Sequence, residues 1–340
     1  MNIHYETLSN DWFDRAMSTG PGKGDWQPKH HLDLFRPWPE KYIVDYHQPF
    51  NPFAFAINAC ALYATSNKHG ISKTILDQVD YLDLAASIYT EAIDDYDYVR
   101  NDFAFPMYWA TMKKPFYGAF MNAYTAYGYM RLYEATADKK YLNKAFRLLR
   151  TIISKDTAIN LSGKDSKGDF WLYEYVFTPQ DSEIEYLKTL GTEEQENGYM
   201  RFRVYNGHIG ATIALMKYRK LTGMGFTDEA IEQSLLTMSK NLNNQIFENK
   251  YFSYSIEAAT LPDYGQARAV HLAKQIAVAT DSEMLKATAI NFEALYNASI
   301  KEHEKEVYST GRMAARELYT PLKANPAKAE KPKSAACTAS

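Results

Sequence analysis

Helical segments recur in pairs along this chain, from residue 51 to about residue 300. In each segment apolar residues return at three- and four-residue spacing, which is typical of a helix with one buried face. The pairs are 52–66 with 72–91, 117–136 with 139–154, 206–222 with 227–242, and 264–279 with 282–300. A single helical hairpin cannot bury its apolar face, so repeated hairpins stack into a curved array. The pattern predicts a mainly α fold, an (α/α) toroid of about four hairpins with few short strands.

The two helices of each pair differ in composition. The first helices are rich in Ala and Gly, whereas second helices such as 139–147 carry several Lys and Arg residues. We therefore expect the first helices to line the inside and the second helices to face water. The start signals of the first helices lie near residues 51, 117, 206 and 264 and should gather on one face of the array. Helix N-termini there would suit an anionic ligand.

The chain divides into three regions. Residues 1–50 are irregular, with Gly and Pro clusters, and are expected to form an N-terminal arm that wraps the main domain. Residues 51–320 are expected to form the toroid. Residues 321–340 are rich in Ala, Lys and Pro, a composition that predicts a disordered tail.

Charge and cysteine usage narrow the classes of partner. A net charge of −3 argues against a nucleic-acid partner, which usually meets a strongly basic surface. No apolar run has membrane length, and the first residues do not resemble a signal peptide, so a cytoplasmic location is expected. Cys60 lies in an apolar helical run and Cys337 in the tail, so no disulfide is predicted. The pair His30-His31 shows no ligand spacing with another cluster, and neither a metal nor a cofactor is predicted.

Two segments stand out as candidate site elements. The run Trp171–Pro179 places the carboxylate of Glu174 between two phenols, within the long polar segment 155–204. Long loops in compact domains are usually functional. The segment 203–215 places a polar turn, Tyr-Asn-Gly, at the start of an amphipathic helix. The chain has 27 tyrosines, whose flat rings suit sugars, although most of them fit helix interfaces better.

Together these two segments resemble the hallmark of the glucuronyl C5-epimerases. In that family a Trp-x-Glu-Glu-Tyr-Pro run precedes a Leu-Asn-Gly helix start. The wider resemblance runs from roughly residue 51 to residue 275 and includes Asn51-Pro52, the Pro-Phe-Tyr-Gly of 115–118 and Asp263-Tyr264. It implies a toroidal catalytic domain of an isomerase that inverts glucuronic acid to iduronic acid in a heparosan-like polysaccharide. The implied partner is an anionic uronic-acid polysaccharide, and the arm would either replace the family's N-terminal β region or pair with a second subunit of a homodimer.

The resemblance also implies the catalytic residues. Glu174 and Tyr175 match the Glu-Tyr of the family's run, and Tyr264 matches a catalytic tyrosine near the family's C-terminus. Epimerisation at C5 needs one base that removes the proton, one acid on the opposite ring face, and a pocket that stabilises the substrate carboxylate as charge builds. Expected substrate-binding residues are Asn51, Tyr117, Tyr173, Arg203, Tyr205, Asn206, His208 and Arg268.

The chain departs from the family pattern at several positions. Tyr173 replaces the first Glu of the run, and Val176 replaces its Pro. His208 replaces the apolar residue after Asn-Gly. The histidine pair that follows the family's C-terminal tyrosine is missing here, where Gly265 and Arg268 follow. These departures concern the substrate and the direction of proton transfer rather than the fold.

The three catalytic candidates also fit structural roles. Glu174, among aromatic residues, would then be a buried carboxylate bonded to helix N-termini. Tyr175 would be a core phenol. Tyr264 follows Pro262-Asp263, a capping pattern, and would staple the start of its helix.

The binding candidates have structural alternatives of the same kind. Asn206 would form a turn and helix cap, and His208 would be a histidine satisfied at the helix start. Arg201 and Arg203 either hold a uronate carboxylate or lie solvated at the surface, and Lys113-Lys114 have the same two roles open to them.

Three other functions fit the same residues. A lyase would use the same carbanion to expel the group at C4. A glycoside hydrolase would need two carboxylates flanking one bond, with Glu174 as one and Asp263 or Asp102 as the other. A non-catalytic sugar-binding protein would bind oligosaccharide without proton exchange at C5.

Overall fold

Six helices have described bounds and dominate the part of the chain that the computed structural model describes. It describes residues 1–10 and 13, single positions between 57 and 83, residue 104, and residues 117–155, 160–177, 193–194, 200–242, 246–247, 251–252 and 266–310. The helices are α1 (Ala119–Thr136), α2 (Lys139–Ile153), α3 (Tyr205–Thr222), α4 (Asp228–Asn241), α5 (Gln266–Val278) and α6 (Glu283–Thr310). The prediction of a mainly α fold with few short strands is confirmed.

Consecutive helices pack as hairpins, α1 with α2, α3 with α4 and α5 with α6. The first helices also pack side by side, α1 on α3 and α3 on α5. Helices α1 and α3 are buried on all sides, whereas α2 and α4 bury only one face. Inner first helices and outer second helices form the layers of an (α/α) toroid, as the composition of the pairs predicts.

Local capping explains where the hairpins turn. Helix α1 ends at Ala137, whose φ of 58° is left-handed. The next residue, Asp138, caps α2 by accepting a hydrogen bond from the backbone N–H of Lys140 at 2.9 Å. Helix α3 ends at Gly223 with a φ of 70°, a conformation that glycine adopts without steric cost.

The helix bounds follow the sequence pattern within about two residues except at the last helix, which continues to Thr310 instead of ending near residue 300. The extension, Lys-Glu-His-Glu-Lys-Glu, lacks apolar periodicity but consists largely of strong helix formers. In the first predicted pair, 52–66 with 72–91, the described positions are helical. The rest of that pair and the tail 321–340 lie outside the described residues.

Short antiparallel strands fill the connections. Strands β1 (Ser162–Lys164) and β2 (Phe170–Leu172) pair with each other. Strands β3 (Tyr175–Phe177), β4 (Glu193–Glu194) and β5 (Met200–Phe202) form a sheet in the order β3-β5-β4. Strands β6 (Ile246–Phe247) and β7 (Tyr251–Phe252) form a further pair. The first five strands lie in the polar segment before α3, next to the helix starts.

The described part of the N-terminal arm crosses the inner helices near their C-terminal ends. The backbone N–H of His4 donates to Ala279 O at 2.9 Å, just after α5. Near the end of α3, Lys220 Nζ donates to Glu6 O at 3.0 Å. Since neighbouring arm residues contact the C-terminal ends of α3 and α5, these two helices run in the same direction. Their starts therefore lie together at the opposite end.

None of the described helices combines the length and the apolar character that a membrane span requires.

Candidate functional site

The carboxylate of Glu174 lies against the first turn of α3. Glu174 follows β2, and its backbone N–H donates to Phe202 O at 3.2 Å. Its side chain packs so closely on Gly207 that a Cβ added to that glycine would lie 2.5 Å from Glu174 Oε2 and 2.9 Å from Glu174 Cβ. Only glycine permits this approach, and the positive end of the helix dipole stabilises a carboxylate there. The two segments that carry the family resemblance therefore meet at this contact.

The start of α1 is tied to the same run. The backbone N–H of Tyr117 donates to Val176 O at 2.9 Å, and the N–H of Val176 donates to Tyr117 O at 2.7 Å. The N–H of Ala119 donates to Tyr173 O at 2.7 Å. Both tyrosine side chains are buried. Two inner helix starts and the run 171–177 thus converge, as expected for one end of a toroid.

His208 is fully buried and uses both ring nitrogens within the protein. Its Nδ1 accepts a hydrogen bond from the backbone N–H of Leu172 at 3.1 Å, so Nε2 carries the proton and donates to Ser234 O at 3.3 Å. The ring also lies 4.9 Å from that of Trp171. Burial lowers the pKa of His208 to about 4, against the opposing effect of the Ser234 hydrogen bond. This geometry fits the structural alternative for His208, a histidine satisfied at the helix start.

Arg203 is a buried ion-pair partner. Its NH1 atom lies 2.6 Å from Asp165 Oδ2, and only 4% of the Arg203 side chain and 0% of the Asp165 side chain are exposed. Asp165 Oδ2 also accepts from Trp171 Nε1 at 3.1 Å, and Asp165 Oδ1 accepts from the backbone N–H of Asp169 at 2.9 Å. Arg203 therefore stabilises the β1–β2 turn, and its expected role as ligand of a substrate carboxylate is replaced by a structural one. Sequence reasoning missed Asp165; the signal that could have indicated this turn is the pair of aspartates around Gly168, which adopts a φ of 80° in the structure.

Tyr175 and Arg201 lie on opposite faces of the β3-β5-β4 sheet. Tyr175 pairs with Phe202, and their rings stack at 5.9 Å. Arg201 pairs with Val176, so its side chain points to the other face. There the Arg201 guanidinium lies 5.1 Å from the centre of the Tyr173 ring. Arg201 is half-buried, whereas Tyr175 is only 6% exposed.

Two further candidates stand at the start of α3. Tyr205 is buried, with its ring edge-on to Trp171 at 5.4 Å. Asn206 is only 4% exposed, and its Oδ1 atom accepts no hydrogen bond from the described part of the chain. A buried amide oxygen without a donor is costly, which favours a ligand hydroxyl as its partner.

The side chains of three expected site residues are not among those that the structure describes. Tyr264 and Asn51 lie outside the described residues, and of Arg268 only the helical backbone is described, in α5. Convergence of Tyr264 with Glu174 stays a prediction. The parallel course of α3 and α5 supports it, because Tyr264 precedes the first residue of α5 by two positions.

Within the described residues, no three His, Cys, Asp or Glu side chains come together as a metal site would require.

Comparison with known proteins gave matches among solved structures alone. No family model matches the chain, and no curated protein does. A sugar epimerase from a ruminal bacterium is 13% identical, with 87% of this chain and 74% of that chain covered and a TM-score of 0.48. The cellobiose 2-epimerase from Bacillus thermoamylovorans B4167 is 15% identical over 72% of this chain, with a TM-score of 0.44, and the match spans 58% of its own length. The α-1,6-mannanase GH76A of Salegentibacter sp. HEL1_6 is 14% identical over 86% of this chain and 85% of its own, with a TM-score of 0.44. A function must therefore be argued from the residues of this chain.

Proposed function

We propose that the protein is a carbohydrate epimerase, specifically a uronate C5-epimerase that inverts glucuronate residues in an anionic polysaccharide. The observation that carries the proposal is the contact between Glu174 and Gly207. It joins the two segments that resemble the glucuronyl C5-epimerases at a single place. It also puts a buried carboxylate at a helix start, against the residue that follows Asn206, whose amide is buried too.

The reaction needs two acid–base groups. The proton at C5 is acidic because the carbanion is stabilised by the adjacent carboxylate. A group on one face removes this proton, and a group on the other face delivers a proton to C5, which inverts the configuration. A single base that returned its own proton would only regenerate the substrate.

Glu174 and Tyr264 are assigned to the two faces, with Tyr175 next to Glu174 in the chain. The helix N-terminus stabilises the charged form of this carboxylate, and an ionised carboxylate can accept the C5 proton. Tyr264 would supply the phenol on the opposite face, since it precedes the first described residue of the neighbouring inner helix α5 by two positions in the sequence. Asn206 Oδ1 would accept a hydrogen bond from a sugar hydroxyl.

The test is proton exchange at C5. De-sulfated glucuronate oligosaccharides are incubated with the protein in D₂O, and deuterium uptake at C5 is followed by NMR. Glu174→Gln and Tyr264→Phe should each slow the exchange roughly 10²–10⁴-fold, the usual contribution of a positioned acid or base. Tyr218→Phe is a matched control, because its hydroxyl lies near Met224 at the far end of α3.

Three results would contradict the proposal. The first is wild-type protein that binds these oligosaccharides without exchange at C5, which indicates a non-catalytic sugar-binding protein. The second is near-normal exchange in both active-site variants. The third is an unsaturated, ultraviolet-absorbing product, which indicates elimination by a lyase.

A further inference from the structure

His208 links two other elements to the helix start on which Glu174 packs. It is the fourth residue of α3, directly after Gly207, and its side chain is fully buried. Its Nδ1 atom accepts a hydrogen bond from the backbone N–H of Leu172, the last residue of β2, at 3.1 Å. On the other side of the ring, Nε2 donates to Ser234 O in α4 at 3.3 Å. One side chain of α3 thus holds the strand that leads into Glu174.

The hydrogen bond from Leu172 lies on the edge of β2 that faces away from β1. Successive backbone N–H groups of a strand point to opposite sides, and the N–H of Tyr173 donates towards the β1 side, to Leu161 O at 2.9 Å. The N–H of Leu172 therefore points to the opposite edge, where the described residues provide no further strand of this sheet. A buried N–H without an acceptor is costly. His208 supplies the acceptor from the helix.

A fixed Leu172 restricts the place of the Glu174 carboxylate, because the two residues are separated by one residue only. The backbone N–H of Glu174 is bonded to Phe202 O at 3.2 Å, which holds the chain against β5. The bond to His208 instead sets the distance between this segment and α3. Packing of the carboxylate depends on that distance, since a Cβ added to Gly207 would lie only 2.5 Å from Glu174 Oε2.

We infer that His208 is a positioning residue for the proposed reaction, which holds Glu174 at the start of α3 through the backbone of Leu172. This inference rests on the proposed function, in which Glu174 exchanges the C5 proton. Burial lowers the pKa of His208 to about 4, so the ring is neutral at pH 7 and Nδ1 is an acceptor. An apolar side chain at this position could fill the space but could not accept the hydrogen bond.

Two substitutions separate the roles of the two ring nitrogens. In His208→Asn the side-chain oxygen can take the place of Nδ1 and accept from Leu172. In His208→Gln the amide can take the place of Nε2 and donate to Ser234 O, but no polar atom replaces Nδ1. C5 exchange is measured against ligand concentration at pH 7. His208→Gln should lower the maximal rate roughly 10- to 100-fold without changing KM, because a displacement of about 1 Å misplaces a catalytic group. His208→Asn should recover most of the rate.

Thr280→Val is the matched control for lost stability. It removes a buried hydrogen bond, from Thr280 Oγ1 to Ile276 O at 3.0 Å, at the C-terminal end of α5. It should lower the urea midpoint and leave C5 exchange unchanged.

A second measurement does not depend on activity. The protein is labelled with ¹³C at the side-chain carboxyl of glutamate, and the Glu174 signal is identified by its absence in Glu174→Gln. This NMR signal should move in His208→Gln and keep its wild-type position in His208→Asn.

The outcomes separate this inference from the proposed function. If both His208 variants slow exchange equally, if neither does, or if only KM changes, His208 does not position Glu174, even where wild-type protein exchanges the C5 proton. If wild-type protein shows no C5 exchange, the epimerase fails and the Glu174 signal decides alone. A shift in His208→Gln but not in His208→Asn then supports the positioning, and any other pattern overturns it.

Discussion

Replacing Gly207 with alanine tests the contact on which the proposed site depends. In a helix this change normally stabilises by up to about 1 kcal/mol, because alanine has the higher helix propensity. Gly207 has no positive φ, so its backbone conformation is open to alanine. The new Cβ, however, would lie 2.5, 2.9 and 3.2 Å from Oε2, Cβ and Cδ of Glu174. A change of the Glu174 rotamer moves Oε2 and Cδ but not Cβ, so the backbones must also separate.

Overpacking of this kind costs about 1–3 kcal/mol. It exceeds the propensity gain, and we expect a net loss of roughly 1–2 kcal/mol in the free energy of unfolding. Urea unfolding followed by circular dichroism should show a lower midpoint with an unchanged slope. C5 exchange should fall about 10²-fold, because a displacement of about 1 Å is enough to misplace a catalytic group.

Two further variants separate a local clash from a general loss of stability. Gly163→Ala is the control, since its added Cβ would meet Tyr173 Oη at 3.4 Å, an ordinary contact. It should change stability by less than about 0.5 kcal/mol. Combining Gly207→Ala with Glu174→Ala removes two of the three close contacts, so the effects of the two substitutions should not add. A Gly207→Ala protein as stable as wild type would refute the packing of Glu174 on this turn.

Two other predictions concern buried groups. His208 has a folded-state pKa of about 4, below its usual 6.5, so its contribution to stability is complete above pH 6.5 and is lost as the pH falls towards 4. The loss should be about 3 kcal/mol in urea unfolding relative to His208→Gln; parallel pH profiles of the two proteins would contradict this. Asp165→Asn leaves Arg203 buried without its counter-ion and should lower the free energy of unfolding by about 3–5 kcal/mol, as measured by urea unfolding. Lys240→Met breaks the ion pair of a largely exposed lysine and should lower it by less than about 1 kcal/mol. Equal effects of these two substitutions would mean that burial does not distinguish the pairs.

The sequence alone determined the helical hairpins and their layers. Apolar spacing within one helix is a local property, so the bounds of α1 to α5 could be predicted closely. At connections such as Ala137-Asp138, the chain turns through a helix C-cap followed by a helix N-cap. Such capping residues can also be recognised in the sequence. The division into inner and outer helices followed from composition, because a helix that is apolar or small on all sides cannot face water. The last ten residues of α6 were not predicted. They have high helix propensity but lack the apolar periodicity that would mark a buried face.

Only the tertiary structure decided how the described site candidates are buried and paired. Arg201 and Arg203 are two residues apart and alike in sequence, yet one lies half-buried over Tyr173 and the other pairs with Asp165. His208 is satisfied by Leu172 and Ser234, residues on separate elements. Such differences depend on partners that are distant in the chain. A pattern of neighbouring residues records which groups are present, whereas burial and pairing, which set their charge and availability, arise only when remote segments pack together.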